Sequence, residues 1–344
     1  MTVAPPSNRG KLLFNIALGL LVSAGTLWLA FRNVAWGEVW AVVRHADGGL
    51  LLAALLSVLL TTAIRSERWR LMFYPDHRRL SPPRLLAIFL LGQMINALIP
   101  TRLGEVARAL LIGRDQHVSV AQALWTAATE KMLDAIVLLL FIALIALLVP
   151  LPGWLRQAAW TLSAAIAVAL ALCVVAARNE QRTLAWLERR EARWPWVRRL
   201  RLPRLAETLF DTLRLLRRPR QALTLAAYSL AAFLAAAATN WLTARAIGLP
   251  MSYRASLLLL SVLQISAVVP LPTTPGRVGV FHYLTVLTLA IYAVPQDLAF
   301  SYSLILHVLM YLPMSLGGPL AMWLLGVRWS GLTQALRRPP PSSV

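Results

Sequence analysis

The length, composition and charge of this chain exclude a soluble globular protein. Of its 344 residues, 58% are hydrophobic and only 14% are charged, whereas charged residues make up about a quarter of a soluble domain. The net charge of +20 comes from arginines that cluster between apolar runs. That distribution is typical of cytoplasmic loops and argues against nucleic-acid binding. The sequence therefore predicts an all-α polytopic membrane protein.

The single cysteine, Cys173, lies in an apolar run. It excludes an internal disulfide bond and a cysteine-cluster metal site, and no carboxylate–histidine spacing typical of zinc is present. We therefore expect neither a metal nor a cofactor.

The first two predicted spans run from Leu12 to Phe31 and from Leu50 to Ile64. Arg9 and Lys11 precede the first span, which places the N-terminus in the cytoplasm by the positive-inside rule. A basic stretch follows the second span, and its Trp69 fits the aromatic belt at the membrane surface. The arginines of this stretch are Arg65, Arg68, Arg70, Arg78, Arg79 and Arg84.

The segment from residue 96 to 108 places helix breakers and polar groups between two apolar runs. The run before it, Leu85 to Ile99, is too short for a hydrocarbon core of about 30 Å, which takes about 20 helical residues to cross. We predict a hairpin that enters the membrane, turns at Pro100 and Gly104, and leaves on the same side. Its polar residues are candidate substrate-binding groups, since ionisable groups at membrane depth are usually functional. They are Asn96, Arg102, Glu105 and Arg108.

The next predicted span, residues 119–149, carries two carboxylates on one face. Glu130 lies about 16 Å from the helix start, near the bilayer midplane. Asp134 follows four residues later and therefore shares its face. Both are candidate substrate-binding residues. The alternative is a neutralised cluster with Lys131 near a helix end.

Residues 154–177 form a further span, and residues 178–220 form the longest polar segment. Its arginines are interleaved with tryptophan and leucine, which predicts amphipathic helices on anionic headgroups at the cytoplasmic surface. The alternative is a plain basic loop. Residues 222–247 form the next span.

A second interrupted segment, from Ala255 to about Val294, repeats the design of the first. Arg277 and His282 follow its break and are candidate substrate-binding residues. By the count of preceding spans, this hairpin enters from the outer face. The last span, Leu298 to Leu325, returns the chain to the cytoplasm, and residues 339–344 are predicted to be a disordered tail. The predicted breaks are Pro272, Pro275, Gly276 and Gly279.

These segments predict about six transmembrane helices and two re-entrant hairpins in an inverted repeat, within one domain of residues 1–338. Interrupted hydrophobic segments at matching positions of two halves point to a transporter site. Each broken helix also offers free amides and a positive dipole end, which suit a phosphate or a carboxylate.

Four motifs carry a resemblance to a known family: Arg65-x-x-Arg68-Trp69, Asn96-x-x-x-Pro100-x-Arg102-x-Gly104-Glu105-x-x-Arg108, Glu130-Lys131-x-x-Asp134 and Pro272-x-x-Pro275-Gly276-x-x-Gly279-x-Phe281-His282. In this order they resemble the lysylphosphatidylglycerol synthase transmembrane region family, or flippase-like membrane proteins, over nearly the whole chain. The resemblance implies translocation of a charged lipid in a bacterial cytoplasmic (inner) membrane. The soluble aminoacyl-transferring domain of the best-known relatives is not present in this sequence, so we expect no lipid synthesis. Many relatives carry glutamate where this chain has His282.

Three functions remain open on the sequence. The first is a transporter that flips a lipid with an anionic or zwitterionic phosphate headgroup, such as a phospholipid, an aminoacylated phospholipid or a polyprenyl-phosphate-linked lipid. Arg102, Arg108 and Arg277 would hold the phosphate, and the carboxylates would balance them. The second is a membrane-embedded lipid-phosphate enzyme, although Ser261 and Ser266 have no neighbouring histidine or aspartate. The third is an envelope-assembly scaffold in which the charges form only an ion-pair network.

An imidazole titrates near pH 6.5, about the physiological range, so His282 is a candidate proton-linked ligand of a lipid phosphate. The alternative is a hydrogen bond to a backbone carbonyl freed at the break. The expected partners are a membrane lipid and anionic headgroups. No nucleic acid is expected, and a homo-oligomer is compatible with the sequence.

Overall fold

A computed structural model describes residues 21–32, 34–99, 103–148, 153–193, 210, 218–268 and 275–337. This part of the chain is helical and contains no strand. Its α-helices are α1 (Leu21–Phe31), α2 (Trp36–Arg44), α3 (Gly48–Leu71), α4 (Pro82–Leu98), α5 (Gly104–Gln116), α6 (Val120–Leu148), α7 (Gly153–Arg178), α8 (Glu180–Arg193), α9 (Pro219–Ala246), α10 (Tyr253–Val268), α11 (Val278–Ala290), α12 (Gln296–Leu324) and α13 (Trp329–Arg337).

Helices α3, α9 and α12 are each long and apolar enough to cross a membrane. They correspond to three of the predicted spans. Helices α6 and α7 have 29 and 26 residues, and at about 1.5 Å per residue both exceed a hydrocarbon core of about 30 Å. The prediction of an all-α polytopic membrane protein is confirmed.

By their packing, the residues fall into two compact units. The first unit contains Met1–Leu59, Leu90–Gly104 and Ala236–Trp323. The second contains Leu60–Phe89, Glu105–Ala235 and Leu324–Val344. Several helices therefore contribute residues to both.

The core of the first unit lies around α10, α11 and α12. Leu259, Phe281 and Tyr302 belong to one buried cluster there, and the Tyr302 hydroxyl donates to the backbone oxygen of Asn240 at 3.0 Å. Helix α11 also packs closely on α1, because a Cβ atom at Gly279 would overlap the carbonyl oxygen of Ser23. The second hairpin thus packs against both α12 and α1.

The first hairpin is closed at its base by contacts in the second unit. The backbone N–H of Ser81 donates to the Gln116 side chain at 3.1 Å, and Arg84 forms an ion pair with Asp115 at 2.5 Å. The start of α4 and the end of α5 therefore lie side by side, so the chain leaves the hairpin where it entered. Pro100 and Arg102, at the predicted turn, lie outside the described residues.

The second hairpin consists of α10 and α11, which pack against each other. Their 16 and 13 residues give arms of about 24 and 20 Å, short of a core of about 30 Å. The break ends at Gly276 (φ 71°) and Arg277 (φ 51°), both left-handed. Glycine adopts this conformation without penalty. Pro272 lies outside the described residues.

Part of the predicted surface segment and the predicted tail also lie outside the described residues. Within 178–220, the structure gives the helix α8 and, after a gap, Phe210 and the start of α9. Phe210 packs with Ala176, Leu184 and Leu187. Helix α8 therefore has packing contacts within the second unit.

Entry of the two hairpins from opposite faces stays a prediction. We expect cysteines placed at Thr101 and at Thr274, each in a Cys173→Ala background, to react with a membrane-impermeant thiol reagent from opposite sides. The arginine clusters that flank the spans fix this parity through the positive-inside rule. Labelling of both positions from the same side would contradict the inverted repeat.

Candidate functional site

Four charged side chains form a buried network in the second unit. Arg68 Nη1 lies 2.7 Å from Asp134 Oδ1, and Arg68 Nη2 lies 3.6 Å from Glu130 Oε1. The other oxygen of Glu130 accepts a hydrogen bond of 2.9 Å from Arg108 Nη2. Arg68, Arg108 and Glu130 are 1%, 6% and 4% exposed. Two arginines and two carboxylates thus balance each other in an environment that strengthens their attraction.

Aromatic faces fix Arg108 in this network. Its guanidinium carbon lies 4.1 Å from the ring centre of Trp69 and 4.4 Å from that of Phe89. The Trp69 indole N–H in turn donates to the Thr126 hydroxyl at 2.9 Å. Such cation–π contacts stabilise a desolvated guanidinium. Trp69 is 1% exposed, so the prediction that it belongs to an interfacial aromatic belt is wrong.

Several guanidinium N–H groups at this site lack a hydrogen-bond partner among the described residues. They are the Nε atoms of Arg65, Arg68 and Arg108 and the Nη2 atom of Arg68. Arg68 also donates to the Ser229 hydroxyl at 2.9 Å. The network is therefore neutral in charge but retains buried donors.

Glu105 belongs to a separate, partly solvated pair. Its Oε1 lies 3.2 Å from Lys131 Nζ, and the two side chains are 20% and 62% exposed. An exposed pair of this kind is worth about 0–1 kcal/mol. This ion pair of Glu105 is thus more solvated than the pairs of Glu130.

Asn96 and Gly104, which flank the predicted turn of the first hairpin, are in direct contact within the first unit. The Asn96 side-chain oxygen accepts a 2.7 Å bond from the backbone N–H of Gly104, which begins α5 and has no partner within that helix. A Cβ atom at Gly104 would overlap both the Asn96 side chain and the carbonyl oxygen of Gly92. The sequence singled out Asn96 as a substrate ligand, and the structure gives its oxygen a bond within the hairpin.

Arg277 lies at the break of the second hairpin and precedes the first residue of α11. Its Nη1 lies 3.5 Å from the Ser266 hydroxyl, and the neighbouring residue Gly276 accepts a hydrogen bond from the Tyr311 hydroxyl. Among the residues that the structure describes, Arg277 forms no ion pair with a carboxylate. Unlike Arg108, it has no neutralising partner within the described part of the chain.

Three stacked rings connect this break to His282. The rings of His282 and His307 lie 5.1 Å apart at 21°, and those of His307 and Tyr311 lie 4.3 Å apart at 2°. The Tyr311 hydroxyl donates to the Gly276 carbonyl at 2.6 Å. The stack therefore links His282 to Gly276, the residue that precedes Arg277.

His282 has a serine partner that the sequence did not reveal. Its Nδ1 lies 2.7 Å from the Ser303 hydroxyl, which donates its own proton to the Phe300 carbonyl at 2.7 Å. When the hydroxyl proton is directed to the Phe300 carbonyl, Nδ1 donates to Ser303. The Ser303 side chain is fully buried.

Sequence reasoning missed Arg68, His307 and Ser303 as members of these clusters. Arg68 stood in a basic run that predicted a cytoplasmic loop, and His307 stood alone in a span. The spacing of Arg65, Arg68 and Trp69 at three and four residues was a usable signal, because it puts them on one helical face. No comparable signal links His307 to residues 25 positions earlier.

In the described part of the chain, no three His, Cys, Asp or Glu side chains group closely enough to hold a metal ion. The comparisons with curated proteins and with solved structures found no match. Residues 16–318 match the family described as the lysylphosphatidylglycerol synthase TM region. The match includes the four motifs and the residues of both clusters. The chain therefore belongs to the lysylphosphatidylglycerol synthase transmembrane region family, an integral membrane family linked to lipid handling.

Proposed function

We propose that this protein moves a lipid with a phosphate-bearing headgroup from one leaflet of the membrane to the other. The observation that carries the proposal is Arg277, a cation without a carboxylate partner among the described residues, held at the break of a membrane-embedded hairpin. Membership of a family linked to lipid handling supports the same conclusion.

The surroundings of Arg277 suit a phosphate. A guanidinium presents several donors in a plane and pairs with two phosphate oxygens at once. The first N–H groups of α11 follow directly and add the positive end of a helix dipole. The hydroxyl of Ser266 lies beside the same guanidinium. These groups would replace part of the water that a headgroup loses inside the membrane.

The buried network has a different role in this proposal. Arg108 is paired with Glu130 and enclosed by Trp69 and Phe89, so we assign it to holding α3, α5 and α6 together and not to the phosphate. On the sequence, Arg102 remains a proposed phosphate ligand and Glu105 a proposed substrate-binding residue.

We also propose a membrane and an orientation for the protein. We place it in the cytoplasmic membrane of a bacterium with both termini in the cytoplasm, and we assign α8 to the anionic surface of that membrane. On α8, Trp186 is 51% exposed and Arg190 lies 5.1 Å from its ring centre. An aromatic ring beside a cation is typical of helices that lie at headgroup depth.

Substitution of Arg277 tests the proposal. We expect Arg277→Gln to lower the rate at which labelled phosphatidylglycerol crosses the bilayer of proteoliposomes by about tenfold to a hundredfold, as for the loss of one charge-assisted bond. Arg277→Lys should keep an intermediate rate, because lysine retains the positive charge but lacks the planar guanidinium that pairs with two phosphate oxygens.

The matched control is Arg245→Gln. Arg245 also belongs to the first unit, but it is exposed and contacts the ring of Trp241 at 5.2 Å. Its substitution should leave the rate unchanged. An Arg277→Gln protein that is folded and moves lipid at the wild-type rate would remove the basis of the proposal.

A further inference from the structure

A cavity with two arginines lies at the C-terminal end of the second unit. Its volume is about 280 Å³, close to the lower end of small-ligand sites at about 300 Å³. Helix α5 and the turn between α12 and α13 supply its walls. The lining residues are Leu110, Leu111, Arg114, Gly326, Val327, Arg328, Gly331 and Leu332.

The two arginines come from distant parts of the sequence and share this one cavity. Arg114 lies in the last turn of α5, where the first hairpin ends, and Arg328 precedes α13. Among the described residues neither forms an ion pair with a carboxylate. The site is therefore cationic, and the ligand that complements it carries negative charge.

The rest of the cavity is apolar and continues into apolar surface. Its lining residues Leu111, Val327 and Leu332 are buried. Beside it, Leu324 at the end of α12 and Trp329 at the start of α13 are 58% and 41% exposed. Since α12 is long and apolar enough to span the membrane, its end lies at the depth of the headgroups. A ligand at that depth can place its charge on the arginines and its chains along Leu324 and Trp329.

We infer that this cavity binds the headgroup of an anionic phospholipid, with the phosphate between Arg114 and Arg328. Occupancy would connect the end of the first hairpin to α13 through one ligand. The inference concerns second-unit residues only and does not depend on translocation or on Arg277. It differs from the surface assigned to α8, because its two exposed arginines come from separate parts of the chain and line one cavity.

Gly331 lines the cavity and provides a test that leaves the charges in place. Nothing lies within 4 Å of a Cβ atom built on Gly331, so a leucine there would extend into open space. Gly331 is also a helical residue, and its replacement raises helix propensity. Because Gly331 lines the cavity, the side chain of Gly331→Leu should occupy part of it without destabilising α13.

The experiment is native mass spectrometry of the purified full chain with dioctanoyl-phosphatidylglycerol, dioctanoyl-phosphatidylcholine or inorganic phosphate. We expect wild type to bind the anionic lipid more tightly than the zwitterionic one. The variant with both Arg114→Gln and Arg328→Gln, and separately Gly331→Leu, should bind phosphatidylglycerol about tenfold or more weakly. Arg79→Gln and Gly37→Leu are the matched controls and should bind like wild type, because Arg79 is an exposed cation and neither residue lines the cavity.

The same titration in Arg277→Gln separates this site from the proposed transport site. The cavity should retain its lipid in that variant, and the double arginine variant should still lose it. Wild-type affinity in the folded double variant and in Gly331→Leu would overturn the inference. Displacement of phosphatidylglycerol by equal concentrations of inorganic phosphate would also overturn it, because the site would then bind free phosphate.

Discussion

Glu130→Gln should lower the free energy of unfolding by about 3–5 kcal/mol, the usual effect of removing one partner from a buried ion pair. Glu130 is bound by two arginines that are 1% and 6% exposed. Its neutralisation would leave two buried guanidinium groups to share Asp134, whose side chain is 29% exposed. Unfolding by denaturant in detergent micelles, followed by tryptophan fluorescence, measures the effect.

Glu105→Gln is the matched control for this prediction. It removes the same charge by the same chemical change from a pair with the 62% exposed Lys131, so its effect should stay below about 1 kcal/mol. Adding Arg108→Met to Glu130→Gln should recover part of the loss, because the uncompensated cation is then absent. Equal effects of Glu130→Gln and Glu105→Gln would show that the network does not stabilise the fold.

Gly104→Ala and Gly279→Ala should each destabilise the protein by about 1–3 kcal/mol, the range for overpacking a close contact. At both positions a Cβ atom would overlap a backbone carbonyl oxygen, that of Gly92 or that of Ser23. Backbone cannot move aside as a flexible side chain can, so the hairpin must shift. The same unfolding measurement reports the change.

Gly25→Ala is the control, since nothing lies within 4 Å of a Cβ atom there. It should be neutral or slightly stabilising because alanine is the better helix former. Asn96→Ala added to Gly104→Ala should recover only part of the loss, because the contact with Gly92 remains. Full stability of both single hairpin variants would contradict the close packing described for the two hairpins.

The hairpins were predictable because their signals are local. Arms such as Leu85 to Ile99 are too short to span, and Pro100, Gly104, Pro275 and Gly276 interrupt them. The base contact between Arg84 and Asp115 then follows from a chain that returns. The face from which each hairpin enters is predicted from the arginine clusters that flank the spans, and it stays a prediction.

The partners of the charges could not be predicted from the sequence. Arg68 meets Glu130 and Asp134 across 62 and 66 positions, and no periodicity connects residues so far apart. The arginine cluster around Arg68 predicted a cytoplasmic loop, whereas α3 continues to Leu71 and buries Arg68. Likewise, only the packing of α11 on α12 shows that His282 lies beside His307 and Ser303.

Translocation of a phospholipid without chemical change is tested most directly with wild-type protein in liposomes. Labelled phosphatidylglycerol in the inner leaflet should become accessible to a membrane-impermeant quencher at a rate that increases with protein content, while protein-free liposomes stay protected. Mass spectrometry of the recovered lipid should find the headgroup intact and no phosphate released. Two results would contradict translocation of an intact lipid by this protein. The lipid would stay protected at every protein content, or it would become accessible only after its headgroup had been cleaved.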